Sequence, residues 1–282
     1  MTNDSDKINL SESVCPLCVS EFVKEIYDNH ISLFKCCRCG IIFNAKHRNA
    51  EYDDSYFTSQ YKDQYGKTYL EDFNSIYSVS IRRIKRILKI IKNTGKISLL
   101  DIGSAMGFFL KAASDSGIKD VLGIEISEYA SKYCAEKLQL NVINSSFDDV
   151  NIPEMFDIIT AWYFLEHAAD PSGAVKKISK SIKRGGVFAF STPSFFGPQF
   201  LFDRSAWFKT HPFDHRIDFS PGTVKKFLKG MGFRTVYVFP GGIHPERIIS
   251  QNSVFFMPFK TVYSGISRLL SFSDTIEVYA VK

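Results

Sequence analysis

Three features of the 282-residue chain predict an α/β fold built on a parallel sheet. The apolar run 97–100 has the composition of a buried strand, and Asp101, a glycine turn and the helix-like segment 108–113 follow it. A second apolar run, 121–124, also ends in an acid, Glu125. The composition, 45% hydrophobic and 23% charged, is that of an ordinary globular protein and suffices for one large domain and one small domain.

The acids and glycines at the ends of these two runs indicate a nucleoside cofactor. In parallel α/β sheets the glycines let the backbone approach the ligand, and a carboxylate after the second strand accepts hydrogen bonds from ribose hydroxyls. A dinucleotide fingerprint that starts at Gly103 would need glycine at 105 and glycine or alanine at 108, where the chain has Ala105 and Phe108. A phosphate loop is excluded as well, because Gly107 is not followed by the required lysine.

The remaining pattern, Asp101-x-Gly103-x-x-x-Gly107, suits a cofactor without phosphate and with a cationic amino-acid end, as in S-adenosylmethionine. The turn and four later segments together resemble the motifs of the class I S-adenosylmethionine-dependent methyltransferases. These segments, in the family's order, are 123–127, 146–148, 156–167 with Asp170 and Pro171, and 183–193.

The resemblance implies a Rossmann-like α/β fold with a seven-stranded, mostly parallel sheet, an antiparallel last strand and helices on both faces. It places the domain at 97–282, with a helix over 223–228 and the last two strands at 234–239 and 275–281. Residues 240–274 form an insertion between those strands, and its segment 260–272 has the apolar spacing of a helix. Two roles stay open for this segment: a cap over the substrate pocket or the contact of a homodimer.

The same resemblance implies a set of cofactor-binding residues. Glu125 falls on the ribose, and 146–148 falls where the family's third strand meets the adenine ring. The implied set is Asp101, Gly103, Ser104, Gly107, Glu125, Ile126, Phe147, Asp148 and Trp162.

Methyl transfer needs an acceptor held in line with the methyl–sulfur bond, and a base where the acceptor must first lose a proton. The candidates are His167, His211 and His215, with Tyr163 as a hydrogen-bond partner. His167 follows the fourth strand, and capping of the next helix is its competing interpretation. Tyr163 stands where the ubiquinone-pathway O-methyltransferases have the first acid of a Glu-x-x-Glu-His cation site, which argues against a catalytic metal.

His211 and His215 belong to the long aromatic segment 194–216, which follows the fifth strand. Pro212 argues against a helix there, so we interpret both histidines as substrate-loop residues. Arg204 and Arg216 of this segment are candidates for gripping a phosphate or carboxylate of the acceptor, with plain surface solvation as the alternative.

The N-terminal residues 1–48 carry two Cys-x-x-Cys pairs, which predict a small zinc ribbon. Two such pairs can place four thiolates around a structural Zn²⁺, and a cytoplasmic location disfavours disulfides. A register slip leaves open whether Cys37 replaces one of the neighbouring ligands. The predicted zinc ligands are Cys15, Cys18, Cys36 and Cys39.

Residues 49–96 form a predicted linker that is rich in tyrosine and ends in a helix. The tyrosines either cover the cofactor and exclude water or simply pack in the core. From 81 to 96 the helix carries seven lysine or arginine residues and no acid, and we interpret them as its solvated face. Its apolar positions Ile84, Ile87, Leu88 and Ile91 have helical spacing.

Together these features predict a cytoplasmic S-adenosylmethionine-dependent methyltransferase without a membrane span. Its predicted acceptor is a small molecule, first a sugar or nucleotide sugar of a surface-polysaccharide or natural-product pathway. Two alternatives stay open: a methyltransferase that docks RNA or protein through the zinc ribbon, and a non-catalytic scaffold that binds the cofactor. Nucleic acid is disfavoured, since residues 1–60 carry nine acids against six bases.

Overall fold

The computed structural model describes residues 14–48, 54–91, 95–152 and 155–282, and the predicted α/β fold is confirmed. The strands are β1 (Val23–Asp28), β2 (Ser32–Cys36), β3 (Ile42–Asn44), β4 (Ser98–Ile102), β5 (Asp120–Glu125), β6 (Val142–Asn144), β7 (Phe156–Trp162), β8 (Ile182–Pro193), β9 (Ile217–Asp218), β10 (Thr235–Pro240) and β11 (Thr275–Val281). The helices are α1 (Tyr61–Tyr65), α2 (Phe73–Ile90), α3 (Phe108–Asp115), α4 (Glu128–Leu138), α5 (Pro171–Ser181), α6 (Pro198–Phe202), α7 (Arg204–Thr210), α8 (Pro221–Gly230) and α9 (Phe256–Leu270).

The main sheet has seven strands in the order β10-β11-β8-β7-β4-β5-β6. Only β11 runs antiparallel to its neighbours, as the sequence predicts. The central strands are buried on both faces: Leu99 packs toward α2 and α3, and its neighbour Leu100 packs toward α5 and α8. This alternation follows from the two-residue period of a strand and explains why β4 is apolar at successive positions.

A second sheet of four strands, in the order β1-β2-β3-β9, contains the cysteine-rich segment. Its last strand, β9, comes from the far end of the chain: Ile42 pairs with Asp218, and Phe43 with Ile217. The hydrophobic core also runs through this junction, because Phe43 and Ile217 belong to the same buried cluster as the main sheet. The segment after β8 is therefore anchored by the N-terminal sheet.

The tyrosine-rich segment forms a π-helical turn over Tyr56–Gln60, followed by α1 and α2. The first residues of the predicted linker, 49–53, and residues 92–94 lie outside the described residues. One interpretation of α2 was wrong, since Arg83 is buried rather than solvated and Leu88 is exposed. Arg83 is buried because its Nε donates to Glu277 Oε1 of β11 at 2.8 Å.

The insertion begins directly after β10 and returns to β11 through α9. Because Pro240 pairs with Ile276, and Thr275 pairs with Pro193, the insertion leaves the sheet at the edge where β8 ends. The carboxyl ends of the parallel strands lie at this edge, which is where open α/β sheets bind ligands. No helix among the described residues is both long and apolar enough to cross a bilayer.

Candidate cofactor and acceptor site

The turn after β4 takes a left-handed backbone at three positions, with φ of 68° at Gly103, 47° at Ala105 and 75° at Gly107. Its first residue is held by β5, since the Gly103 N–H donates to the Ile124 carbonyl at 2.9 Å. A Cβ at Gly107 would lie 2.7 Å from Cys134 Sγ, so a side chain there would collide with α4. The glycines thus place backbone where side chains do not fit.

Glu125 connects this turn to the end of β5. Its carboxylate accepts a hydrogen bond from the Ala105 N–H at 2.7 Å on Oε2 and from the Ser127 N–H at 2.9 Å on Oε1. Each oxygen keeps a further lone pair, because a carboxylate accepts about four hydrogen bonds. Burial raises the pKa of Glu125, while these two backbone donors oppose the shift.

Asp101 lies at the end of β4, almost completely buried, where Thr160 Oγ1 donates to its Oδ1 at 2.6 Å. Burial raises the pKa of Asp101 to about 8, and the charge of nearby Glu125 acts in the same direction. Within the part of the chain that the structure describes, no cation is bonded to either carboxyl group, although the charge of Arg83 acts to lower the pKa of Asp101. A ligand with a positive charge would reduce the repulsion between the two carboxylates, and a pyrophosphate would add to it.

The residues of the turn fit S-adenosylmethionine on two observations. The first is the glycine turn, where a Cβ would occupy the space next to the backbone. The second is the donor set, two acidic carboxyl groups beside a turn that offers neither lysine nor arginine of its own. A ribose can donate to Glu125, and an ammonium group can donate at Asp101.

The other predicted cofactor residues surround this turn in different ways. Ser104 is buried and its Oγ has no partner among the described residues, whereas the Ile126 side chain is exposed. Phe147 is buried edge-on against Phe164, and Asp148 follows it in the turn after β6. Trp162 ends β7, with the Arg83 guanidinium 4.0 Å from its ring centre.

Three histidines and two acids gather beyond the end of β7. His167 Nδ1 lies 3.0 Å from Asp214 Oδ2, and His211 Nε2 lies 2.8 Å from Asp218 Oδ2. The His215 ring stands between these pairs, 4.9 Å from the His167 ring and 5.7 Å from that of His211. The absence of a helix at 211–215 is confirmed, because α7 ends at Thr210.

The two acids give the three histidines different pKa values. Burial lowers the pKa of His167, but the hydrogen bond and charge of Asp214 outweigh it and raise the pKa above the usual 6.5. The same balance, with Asp218 as the partner, raises the pKa of His211. The His215 ring has no such bond to any residue that the structure describes, so burial and the charge of His167 lower its pKa to about 4.

The loop that carries His211, Asp214 and His215 is fixed at Arg216 by two backbone hydrogen bonds. The Arg216 N–H donates to the Glu166 carbonyl at 2.6 Å, and the Asn44 N–H donates to the Arg216 carbonyl at 3.0 Å. The Arg216 Nε is buried and has no partner among the described residues. Arg204 lies instead over the Phe200 ring at 4.4 Å.

Tyr56 packs against the glycine turn, in the same apolar cluster as Ala105 and Met106. Burial raises the pKa of Tyr56 to about 12, and the charges of Asp214 and Glu125 act in the same direction. Tyr163 follows Trp162 with a left-handed φ of 54° and is about half exposed.

Four cysteines cluster apart from this region. Cys15 Sγ and Cys39 Sγ are 3.6 Å apart, as are those of Cys18 and Cys36, and all four atoms lie within 4.8 Å of one another. A tetrahedral Zn²⁺ site with bonds of about 2.3 Å would separate its sulfur atoms by about 3.8 Å. Cys37 is exposed and lies outside the cluster.

Sequence reasoning missed Asp214, Asp218 and Arg83. Asp214 directly precedes His215, and a search for acids beside candidate histidines would have found it. Asp218 could not be found in this way, since its burial depends on the pairing of β9 with β3.

Comparison with known proteins agrees with this geometry. A family model described as "Methyltransferase domain" matches residues 73–238, more than half of the chain. The chain is 38% identical over 117 residues to a ubiquinone biosynthesis O-methyltransferase of Coxiella burnetii, covering 39% of this chain and 49% of that protein. A Pseudomonas fluorescens protein of the same name is 29% identical over 129 residues, covering 43% and 54%. The chain thus spans about half the length of the curated relatives it matches.

Among solved structures, a SAM-dependent methyltransferase from Archaeoglobus fulgidus superposes with a TM-score of 0.55 at 20% identity. The match covers 81% of this chain and all of that one, so the likeness of fold extends well beyond the glycine turn. Three findings point to the same family: the order of the strands, the turn with its two acids and the match to the family model. The chain belongs to the methyltransferase domain family, and its domain has the fold of that SAM-dependent methyltransferase from Archaeoglobus fulgidus.

Proposed function

We propose that the chain transfers a methyl group from S-adenosylmethionine to a small-molecule acceptor held by the loop 194–220. One observation carries the proposal: the cofactor turn and the His167–Asp214 pair lie at the same edge of the sheet. A Cβ at Gly103 would be 3.3 Å from Phe164 Cδ2, and Phe164 is three residues before His167. This contact supports the placement of the transferred methyl group near an imidazole that a carboxylate orients.

In this proposal the cofactor is held by Asp101 at its ammonium group, by Glu125 at its ribose and by the backbone of Gly103, Ser104 and Gly107. Phe147, Asp148, Ile126 and Trp162 complete its surroundings. The bound cofactor supplies an electrophilic methyl group that carries its own leaving group. The protein then has to position the acceptor, and positioning alone can be worth about 7–11 kcal/mol of barrier.

We assign the general base to His167. Asp214 faces Nδ1 and fixes the tautomer that leaves Nε2 as the acceptor, as in other His–Asp pairs. His215 and His211 line the acceptor loop as hydrogen-bonding groups, and Tyr163 is the hydroxyl donor next to the base. His215 is a poorer base than His167, because its lowered pKa of about 4 lies farther from neutral pH.

We infer the class of acceptor from the side chains of the loop 194–220. The unpartnered, buried Nε of Arg216 supports an anionic acceptor, and a nucleotide sugar combines such a phosphate with an ionisable hydroxyl or carbon acid. A phenolic hydroxyl is the second candidate. It is favoured by the names of the relatives, ubiquinone biosynthesis O-methyltransferases.

The test is a methyl-transfer assay of the full chain with isotope-labelled cofactor. Nucleotide sugars, catechols and a mixed RNA are offered in parallel, with His167→Ala as the control. Label transferred to a small molecule by the wild type and not by the variant supports the proposal. Tight cofactor binding without transfer to any acceptor would favour a scaffold, and transfer to RNA that weakens steeply with salt would favour a macromolecular substrate.

We further propose that Cys15, Cys18, Cys36 and Cys39 bind one structural Zn²⁺ and that residues 1–48 act as its ribbon. The support is the near-tetrahedral spacing of the four sulfur atoms. Residues 49–96 then act as the cover of the cofactor pocket, and 97–282 as the methyltransferase domain. Metal analysis of the purified chain tests the ribbon independently of activity.

A further inference from the structure

Helix α9 turns an apolar side toward solvent. Val262, Ile266 and Leu269 have the spacing i, i+4, i+7, so they share one face of the helix. All three are exposed, Leu269 by 83%. The helix is held to the protein by another side, through buried Tyr263 and Ser267.

The turn before α9 adds two exposed apolar side chains, Val254, which is 86% exposed, and Phe255. We call Val254, Phe255, Val262, Ile266 and Leu269 the outer patch. Isolated apolar residues on a surface need no explanation, but five exposed ones within 16 positions of the chain concentrate apolar surface in one segment, as interaction sites do.

The charge of residues 247–273 indicates which kind of partner the outer patch would bind. Residues 247–273 contain three basic residues and no acid. Arg247 is paired with Asp274, whereas Lys260 and Arg268 are exposed and have no ion pair among the described residues. A helix with an apolar face and basic residues on its polar side is the pattern that lies in the interface of an anionic bilayer. Lysine and arginine side chains are long enough to reach headgroups from that side.

A second copy of the chain is a poorer occupant. A two-fold contact through the patch would bring two basic segments together, and residues 247–273 offer no acid to offset them. The patch also differs from an isolated apolar spot because it adjoins the acceptor loop. The Phe202 ring of α6, itself exposed, lies 6.3 Å from the Phe272 ring at the end of α9.

We propose that the outer patch docks the protein on the surface of an anionic phospholipid bilayer. The insertion leaves the sheet at the same edge as the candidate site, so docking would place the acceptor loop next to the lipid surface. The proposal does not depend on methyl transfer, because it concerns a surface outside the cofactor turn and the histidine cluster.

The test is co-sedimentation of the full chain with vesicles of phosphatidylcholine and phosphatidylglycerol in equal amounts, and with vesicles of phosphatidylcholine alone. The wild type is expected to sediment with the anionic vesicles. The double variant Val262→Ser/Leu269→Ser should bind at least about tenfold more weakly, because each side chain contributes apolar surface to the interface. Lys260→Glu/Arg268→Glu should weaken binding to the anionic vesicles and leave any binding to the neutral ones unchanged.

Met155→Ser is the matched control, since Met155 is an exposed apolar residue before β7, at the opposite edge of the sheet. Unchanged S-adenosylmethionine affinity and melting temperature in each variant show that the fold is intact. Equal sedimentation of wild type and the double serine variant would overturn the proposal. A concentration-dependent dimer that the serine substitutions abolish, without vesicle binding by the wild type, would overturn it in favour of self-association.

Discussion

His167 Nδ1 lies 3.0 Å from Asp214 Oδ2, a contact that joins the end of β7 to a loop 47 residues later. The contact gives the His167 ring a partner outside the following helix, whose N-cap is Asp170. It also sets the protonation of the ring, since Asp214 raises the pKa of His167.

The first prediction concerns His167. His167→Ala should lower kcat by about 10²–10⁴-fold, the usual contribution of a general base, and leave S-adenosylmethionine affinity unchanged. Asp214→Asn should lower kcat less and shift the acidic limb of the pH–rate profile downward, because the asparagine no longer raises the pKa of His167. The wild-type rate should fall as the pH drops below that raised pKa, since the base becomes protonated. A variant with normal kcat would remove His167 from the reaction.

The second prediction concerns Glu125. Glu125→Ala should weaken S-adenosylmethionine binding by about 100-fold or more, because hydrogen bonds to a charged group contribute about 1.5–3 kcal/mol each. Calorimetric titration measures the effect. Glu128→Gln is the control, as Glu128 lies exposed in the first turn of α4, where it forms an ion pair with Lys132. Equal affinities of the two variants would contradict the assigned ribose contact.

Asp101 supplies a third prediction, on pH. Its pKa of about 8 means that the carboxyl is largely protonated at neutral pH in the free protein. A cationic amino-acid end favours the ionised form, so cofactor binding should release a proton and strengthen as the pH rises toward 8. Titrations in buffers of different ionisation enthalpy measure the released proton. Adenosine, which has no ammonium group, should show neither effect.

A fourth prediction concerns stability at the acceptor loop. His211 and Asp218 have side chains that are each 2% exposed, so Asp218→Ala leaves a buried donor unpaired and should lower the free energy of unfolding by about 1–3 kcal/mol. Because the folded-state pKa of His211 is raised, the stability from this pair is complete below pH 6.5 and is lost as the pH rises through the raised value. Denaturant titrations at acidic and alkaline pH should therefore differ in this direction. If the destabilisation caused by Asp218→Ala became larger as the pH rose, the result would contradict the pairing.

The cysteine cluster gives a fifth prediction. Cys18→Ser or Cys39→Ser should each lose about one equivalent of zinc per chain, measured by elemental analysis. Cys37→Ser should keep the metal, because Cys37 lies outside the cluster. Loss of metal in the Cys37 variant alone would establish the alternative register of ligands.

The large sheet was predictable because its signals are local. The run 275–281 coincides with β11, and the turn between β4 and α3 follows from adjacent residues. The start of α9 was missed, since the apolar spacing predicts a helix only from residue 260. The helix begins at Phe256 and holds Pro258 in its first turn, where a backbone N–H has no partner within the helix.

Long-range pairings limited the prediction of the site. Arg83 has the charge of a surface residue, and only its bond to Glu277, 194 residues later, makes it a buried one. Asp218 likewise carries no local signal, because two residues of strand pairing with β3 bury it. A pattern along the sequence reports a residue's neighbours in the chain but not the partner that a sheet brings to it.

The pairing of β9 with β3 links two clusters that lie far apart in the sequence. β3 begins three residues after Cys39, and β9 carries the carboxylate that pairs with His211. A change in the packing of the cysteine cluster would therefore reach the histidine cluster through two hydrogen-bonded strands, whereas the glycine turn belongs to the other sheet.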